Sequence, residues 1–193
     1  MQIESLAHIE AIVIGGSAGA VEALNGLLPT LPSGFPAAVF VVLHLPRERP
    51  SMLAEIFAAK CAVPVEEAED KRPVRRGTVY FAPPDYHLLL EEGPSLALSV
   101  DDPVNLSRPS IDVLFESAAD VYGRSLMGII LSGGSADGAA GLTAVRSAGG
   151  LTVVQEPSSA AVPLMTTSAI ERCSVDCVLP FDEIAALLRR IHK

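Results

Sequence analysis

Short β-branched apolar runs, each followed by a Gly- or Pro-containing turn and then a helical stretch, recur along this chain. That alternation admits few folds. A strand that reads as a continuous apolar run is covered on both faces, and strands separated by helices are parallel, so the pattern predicts a doubly wound α/β domain. In this three-layer α/β/α sandwich a mostly parallel sheet lies between helices. The candidate strands are Ile9–Ile14, Ala38–Leu43, Val63–Glu66, Leu126–Leu131, Leu151–Val154 and Cys177–Leu179. The candidate helices are Val21–Leu28, Ser51–Lys60, Ile111–Tyr122, Ala139–Ala148 and Asp182–Ile191.

The alternation breaks in the middle. Thr78–Phe81, His87–Glu91 and Leu96–Val100 are strand-like runs joined by Pro83-Pro84-Asp85 and Glu92-Gly93-Pro94, too close together for crossover helices. An antiparallel excursion is expected over residues 78–100. With no internal repeat and no linker-like stretch, residues 1–193 read as a single domain.

Charge and composition exclude several classes. The 14 Lys and Arg against 23 Asp and Glu leave a net charge of −9, which a phosphate backbone would repel, so no nucleic-acid partner is expected. No apolar run of about 18 residues exists to span a bilayer, and the N-terminal residues lack the basic start and apolar run of a secretory signal. The protein is expected to be cytoplasmic and not membrane-embedded. Cys61, Cys173 and Cys177 are read as reduced thiols, because the Cys173/Cys177 pair lacks a second ligand pair for zinc; those two could share one helical turn. No metal and no organic cofactor are implied.

In an open α/β sheet, ligands sit at the carboxyl ends of the strands. The first strand runs into Gly15-Gly16-Ser17-Ala18-Gly19, the second ends in Leu43-His44-Leu45-Pro46, and the Leu126–Leu131 strand runs into Ser132-Gly133-Gly134-Ser135-Ala136-Asp137-Gly138. A Ser, a His and an Asp therefore share one edge. Gly15-x-Ser17-x-Gly19 has the spacing of a nucleophile elbow, in which flanking glycines permit a sharp strand-to-helix turn. The same loop suits a phosphate or dinucleotide, but such a site normally has an acid at the end of the second strand, where this chain has His44. Asp137 shares its turn with Ser132 and Ser135, which would also suit a helix N-cap. Ser17, His44 and Asp137 are thus candidates for a catalytic triad. Their chain order differs from that of the α/β-hydrolases, so a different family is indicated.

Five segments carry a resemblance: Ile12 to Leu24, Val41 to Pro46, Tyr80 to Leu89, Arg108 to Phe115 and Leu131 to Gly141. In these residues the chain resembles the catalytic domain of the bacterial chemotaxis protein-glutamate methylesterases, the CheB family, across nearly its whole length. The resemblance implies Ser17 as nucleophile, His44 as general base and acid, and Asp137 as the carboxylate that orients the imidazole. It also implies hydrolysis of glutamate γ-methyl esters on the cytoplasmic helices of methylated chemoreceptors, with deamidation of receptor glutamines as a second activity. Ala18, Gly133 and Gly134 are the candidates for the oxyanion hole and site wall, and Arg47, Arg49 and Arg108 for a basic substrate rim.

The chain departs from the family's common pattern at Ala20, where a glycine is usual, and at Ser132-Gly133-Gly134-Ser135, where Thr-Gly-Met-Gly is common. Ser135 would strain the turn if its backbone needed positive φ. Classical members carry a receiver domain ahead of the esterase; here the first strand begins close to Met1, so the chain is expected to be either a stand-alone form, with a separate regulatory partner in the receiver's place, or a piece of a longer protein. Two other readings remain open: a non-catalytic module that keeps the fold and docks a receptor or signalling partner, and a nucleotide-binding domain that uses the Gly15–Gly19 loop.

Overall fold

All six residues of β1 (Ala11–Gly16) are buried, and so are all six of β2 (Ala38–Leu43). Such strands must have neighbours on both sides and helices on both faces. The computed structural model, which describes residues 6–45 and 50–191, supplies both. The remaining elements are α1 (Ala20–Leu27), α2 (Leu53–Ala58), β3 (Val65–Glu67), β4 (Val79–Phe81), β5 (His87–Glu91), β6 (Ser95–Ser99) and α3 (Ile111–Tyr122). They continue with β7 (Leu126–Ile130), α4 (Ala139–Ser147), β8 (Leu151–Gln155), α5 (Leu164–Arg172), β9 (Cys177–Leu179) and α6 (Phe181–Arg189).

Seven strands form one sheet in the order β3-β4-β2-β1-β7-β8-β9, every pair parallel. The two-residue side-chain period divides the core into two. Ile12, Ile14, Val39 and Val41 face Leu24 and Leu27 of α1, Phe57 of α2 and Ile184 and Leu188 of α6. Val13, Phe40 and Val42 face Leu114 and Phe115 of α3, Leu142 and Val145 of α4 and Met165 and Ala169 of α5, with Leu88 and Leu96 of the hairpin.

Three expectations are corrected. Thr78–Phe81 does not belong to the antiparallel excursion: Val79–Phe81 is wholly buried and pairs in parallel with both β2 and β3. Among the named strands of the described residues, β5 and β6 alone pair antiparallel, as a separate two-stranded sheet packed on α3. Helix α5 was not anticipated. Cys173 closes it while Cys177 opens β9, so the two thiols do not share a helical turn; all three cysteines are free. Among the described residues no helix is long and apolar enough to cross a membrane.

The sheet also fixes where a site can form. From β1 the chain passes to β2 on one side and later returns with β7 on the other, so the strand order reverses beside β1. The carboxyl ends at such a reversal diverge and leave a crevice.

Candidate active site

Register brings the three strand ends together. Gly16 lies opposite Leu43, and the His44 N–H donates to Gly16 O at 3.2 Å, which sets His44 beside Ser17. On the other side the Leu131 N–H donates to Gly15 O and the Ser17 N–H to Ser132 O, both at 2.9 Å. The chain then turns through Gly19 at φ +82° into α1, a left-handed conformation open to glycine at little cost. Ser17 is half-buried at the mouth of this turn.

Asp137 lies 93 residues from His44 in sequence, yet its Oδ2 is 2.8 Å from His44 Nε2. That bond occupies Nε2, so the ring nitrogen available to a serine proton is Nδ1. The carboxylate is 1% exposed and is surrounded by donors. The Ile111 N–H reaches Oδ2 at 2.6 Å; Ser110 Oγ, Asn105 Nδ2 and the Asp112 N–H reach Oδ1 at 2.8, 2.7 and 3.2 Å. Burial alone would raise the pKa of this carboxyl, but the bonds to His44, Ile111, Asn105 and Ser110 outweigh it and hold the group below the usual carboxylate range. Asp137 is therefore a fixed anion against the imidazole.

Of the remaining candidates, Gly133 is a wall rather than a donor. Its N–H is engaged by Val162 O at 3.0 Å, and a Cβ there would lie 2.6 Å from Met165 Cε and 3.0 Å from Ser17 Cβ. Ala18 and Gly134 are exposed at the same mouth, and their amides carry no backbone bond among the described residues. Ser135 is not in the positive-φ region, so the serine fits the turn without the anticipated strain.

Arg108, a candidate for the rim, lines a small pocket with His44, and its charge is already paired. Its guanidinium lies 2.7 Å from Asp85 Oδ1 and donates to the carbonyls of Val100 and Asp101 at 2.7 and 3.0 Å, so it fastens the loop next to His44. Arg47 and Arg49 lie outside the described residues. His87 also fastens this loop. It is 2% exposed; its Nδ1 accepts the Ser110 N–H at 3.1 Å, which leaves the proton on Nε2 to donate to Asp102 O at 3.2 Å.

Three residues of the site escaped sequence reasoning: Asn105, Ser110 and Asp112. Ser110 and Asp112 stand in a segment that carries the family resemblance, but only the fold places them against Asp137. The available signal was the serine that precedes Ile111 at a helix start. In the structure Ser110 makes no side-chain cap bond to its own helix, because its hydroxyl is directed to Asp137.

A chain that sets a half-buried serine beside an imidazole fixed by a buried carboxylate is equipped for nucleophilic acyl transfer. Comparison with known proteins identifies a family. The family model for CheB methylesterase matches residues 12–188. A Leptospira interrogans protein, named provisionally as a protein-glutamate methylesterase/protein-glutamine glutaminase, is 46% identical over 186 residues, covering 96% of each chain. Protein-glutamate methylesterase/protein-glutamine glutaminase 2 of Anaeromyxobacter dehalogenans is 42% identical over 187 residues; the match takes in 97% of this chain and 54% of that protein. The crystal structure of the Thermotoga maritima CheB methylesterase catalytic domain superimposes with a TM-score of 0.89 at 34% identity, covering 93% of this chain and 97% of that one.

Proposed function

The chain belongs to the CheB methylesterase family, and from that premise we propose that it hydrolyses glutamate γ-methyl esters on the cytoplasmic helices of chemoreceptors by a serine mechanism. The observation that carries the reading is the bond from His44 Nε2 to the buried Asp137, with Ser17 on the adjoining strand end.

His44 Nδ1 takes the Ser17 hydroxyl proton as Ser17 Oγ bonds to the ester carbonyl carbon, and Asp137 steadies the imidazolium that results. The tetrahedral intermediate collapses, the C–O bond to methoxide breaks, and His44 returns the proton so that methanol leaves. Water then adds to the glutamyl-Ser17 ester by the same base, freeing the glutamate and restoring the serine. The amides of Ala18 and Gly134 are the donors in this proposal for the developing oxyanion, at about 3–4 kcal/mol each in hydrolases where such a donor has been removed. A γ-carboxamide presents the same carbonyl with ammonia as leaving group, so glutamine deamidation falls within the same chemistry.

The test is methanol release from a methylated chemoreceptor fragment, comparing the wild-type chain with Ser17→Ala. Release by the wild type that the variant loses supports the proposal. A folded wild type that binds the fragment and leaves its methyl ester intact would instead favour a docking module.

A further inference from the structure

The two helices beside the site cap each other. Asp137, which precedes α4, accepts the Ile111 and Asp112 N–H groups at the start of α3. Asp112, in the first turn of α3, accepts the Gly138 and Gly141 N–H groups at the start of α4, at 2.9 and 2.6 Å. Each carboxylate thus sits at the positive end of the other's helix, which favours its charged form. The arrangement brings two buried anions together, 1% and 7% exposed.

One side chain bridges them. Asn105 Nδ2 lies 2.7 Å from Asp112 Oδ2 and 2.7 Å from Asp137 Oδ1, and an amide NH2 has two hydrogens, one for each. Both oxygens of both carboxylates now receive donors, so a proton on either would be turned against an N–H or O–H. Asn105 stands at φ +51°, a left-handed conformation that asparagine tolerates better than most residues. Its loop is fastened on both sides, through Asp102 to His87 and through Arg108 to Asp85.

We propose that Asn105 is a positioning residue for the reaction: its amide keeps Asp112 and Asp137 ionised side by side and directs Oδ2 of Asp137 to His44. The catalytic part of this inference rests on the methylesterase reading; the electrostatic part does not. Burial pushes the Asp112 carboxyl up, and the charge on Asp137 pushes it further against the pull of the Gly141, Asn105 and Gly138 donors, so the pair is under mutual repulsion. Among the described residues, the other charged or titratable groups facing it are His44, Glu116 on α3, and Glu171 and Arg172 of α5, which line a cavity with Asn105 and Asp112.

Asn105→Gly removes the amide and keeps the left-handed backbone, and Asn105→Asp keeps the shape but adds a third acid. The primary readout is the pH titration of the Asp137 carboxyl carbon by NMR, with kcat, KM and the acid limb of the rate profile alongside. In Asn105→Gly the Asp137 midpoint is expected to rise by about one pH unit and kcat to fall by about tenfold with KM unchanged. Asn105→Asp is expected to shift both further. Adding Asp112→Asn to Asn105→Gly removes the repelling charge and is expected to return the midpoint toward the wild-type value. A folded Asn105→Gly with an unmoved midpoint, or a shift that Asp112→Asn leaves untouched, would overturn the proposal. A midpoint that moves in a wild-type background releasing no methanol would overturn the methylesterase reading and uphold the electrostatic role of Asn105.

Discussion

Gly133 shows how little room surrounds the nucleophile. Its buried backbone lies between the Met165 thioether and Ser17; the thioether is the flexible end of its side chain, whereas an added Cβ would lie 3.0 Å from Ser17 Cβ, whose backbone N–H is tied to Ser132 O at 2.9 Å. Gly133→Ala is expected to displace Ser17 and to lower kcat/KM by about a hundredfold, the penalty that a displacement of order 1 Å carries in an oriented site. Single-turnover hydrolysis of the ester would measure it, with the Tm as a control for folding. At this scale the edge that gathers Ser17, His44 and the turn holding Asp137 was legible because each follows a strand of one parallel sheet. Asn105 and Ser110 were not, because nothing in a Val-Asn-Leu-Ser-Arg-Pro-Ser run says that its side chains will meet an acid some 30 residues on; their distances to Asp137 exist only once the loop is folded back.

Among the elements, α3 and α4 depend on one another through their N-termini. Asp112→Ala would leave the Gly138 and Gly141 amides without their acceptor. The expected cost is about 1–2 kcal/mol, as for loss of a helix cap, read as a lower urea midpoint at an unchanged m-value. Helices α1, α3, α4 and α6 were visible from their apolar spacing. Helix α5 was hidden because its Leu-Met-Thr-Thr-Ser start holds three residues that favour the helix weakly, and its packing through Met165 and Ala169 is what secures it. Strand β4 was misplaced for a related reason: three apolar residues carry no mark of whether the partner strand runs parallel or antiparallel.

The behaviour of the whole molecule toward acid follows from opposed carboxyls. Asp137 and Asp176 are both held below their ordinary value of 3.8. In Asp176 burial acts upward but is outweighed by the Thr152 backbone and side-chain bonds and by Arg146. A depressed carboxyl contributes stability that is present above its unfolded pKa and lost as pH falls through its folded one. Asp112 is raised, so its contribution has the other sign and weakens as pH rises through its folded value. The Tm is therefore expected to change little or rise slightly as pH falls toward 4, then to drop below it. Asp176→Ala would remove part of that drop. At neutral pH it is expected to cost about 1–3 kcal/mol, because it strips the acceptor from the Thr152 N–H at the start of β8. Thermal melts of both proteins from pH 7 to pH 3 would check the two statements together.

By itself the sequence determined the layered α/β architecture, most of its elements and the edge at which chemistry gathers, since apolar period and turn residues act over a few positions along the chain. Tertiary structure alone decided that His44 is held through Nε2, that the Gly133 N–H is engaged by Val162, and that Arg108 is paired with Asp85 beside His44. It also decided that Asp112 and Asn105 belong to the site. Those outcomes depend on hydrogen bonds between residues tens of positions apart, and a buried donor or acceptor finds its partner only when packing has brought the two within about 3 Å.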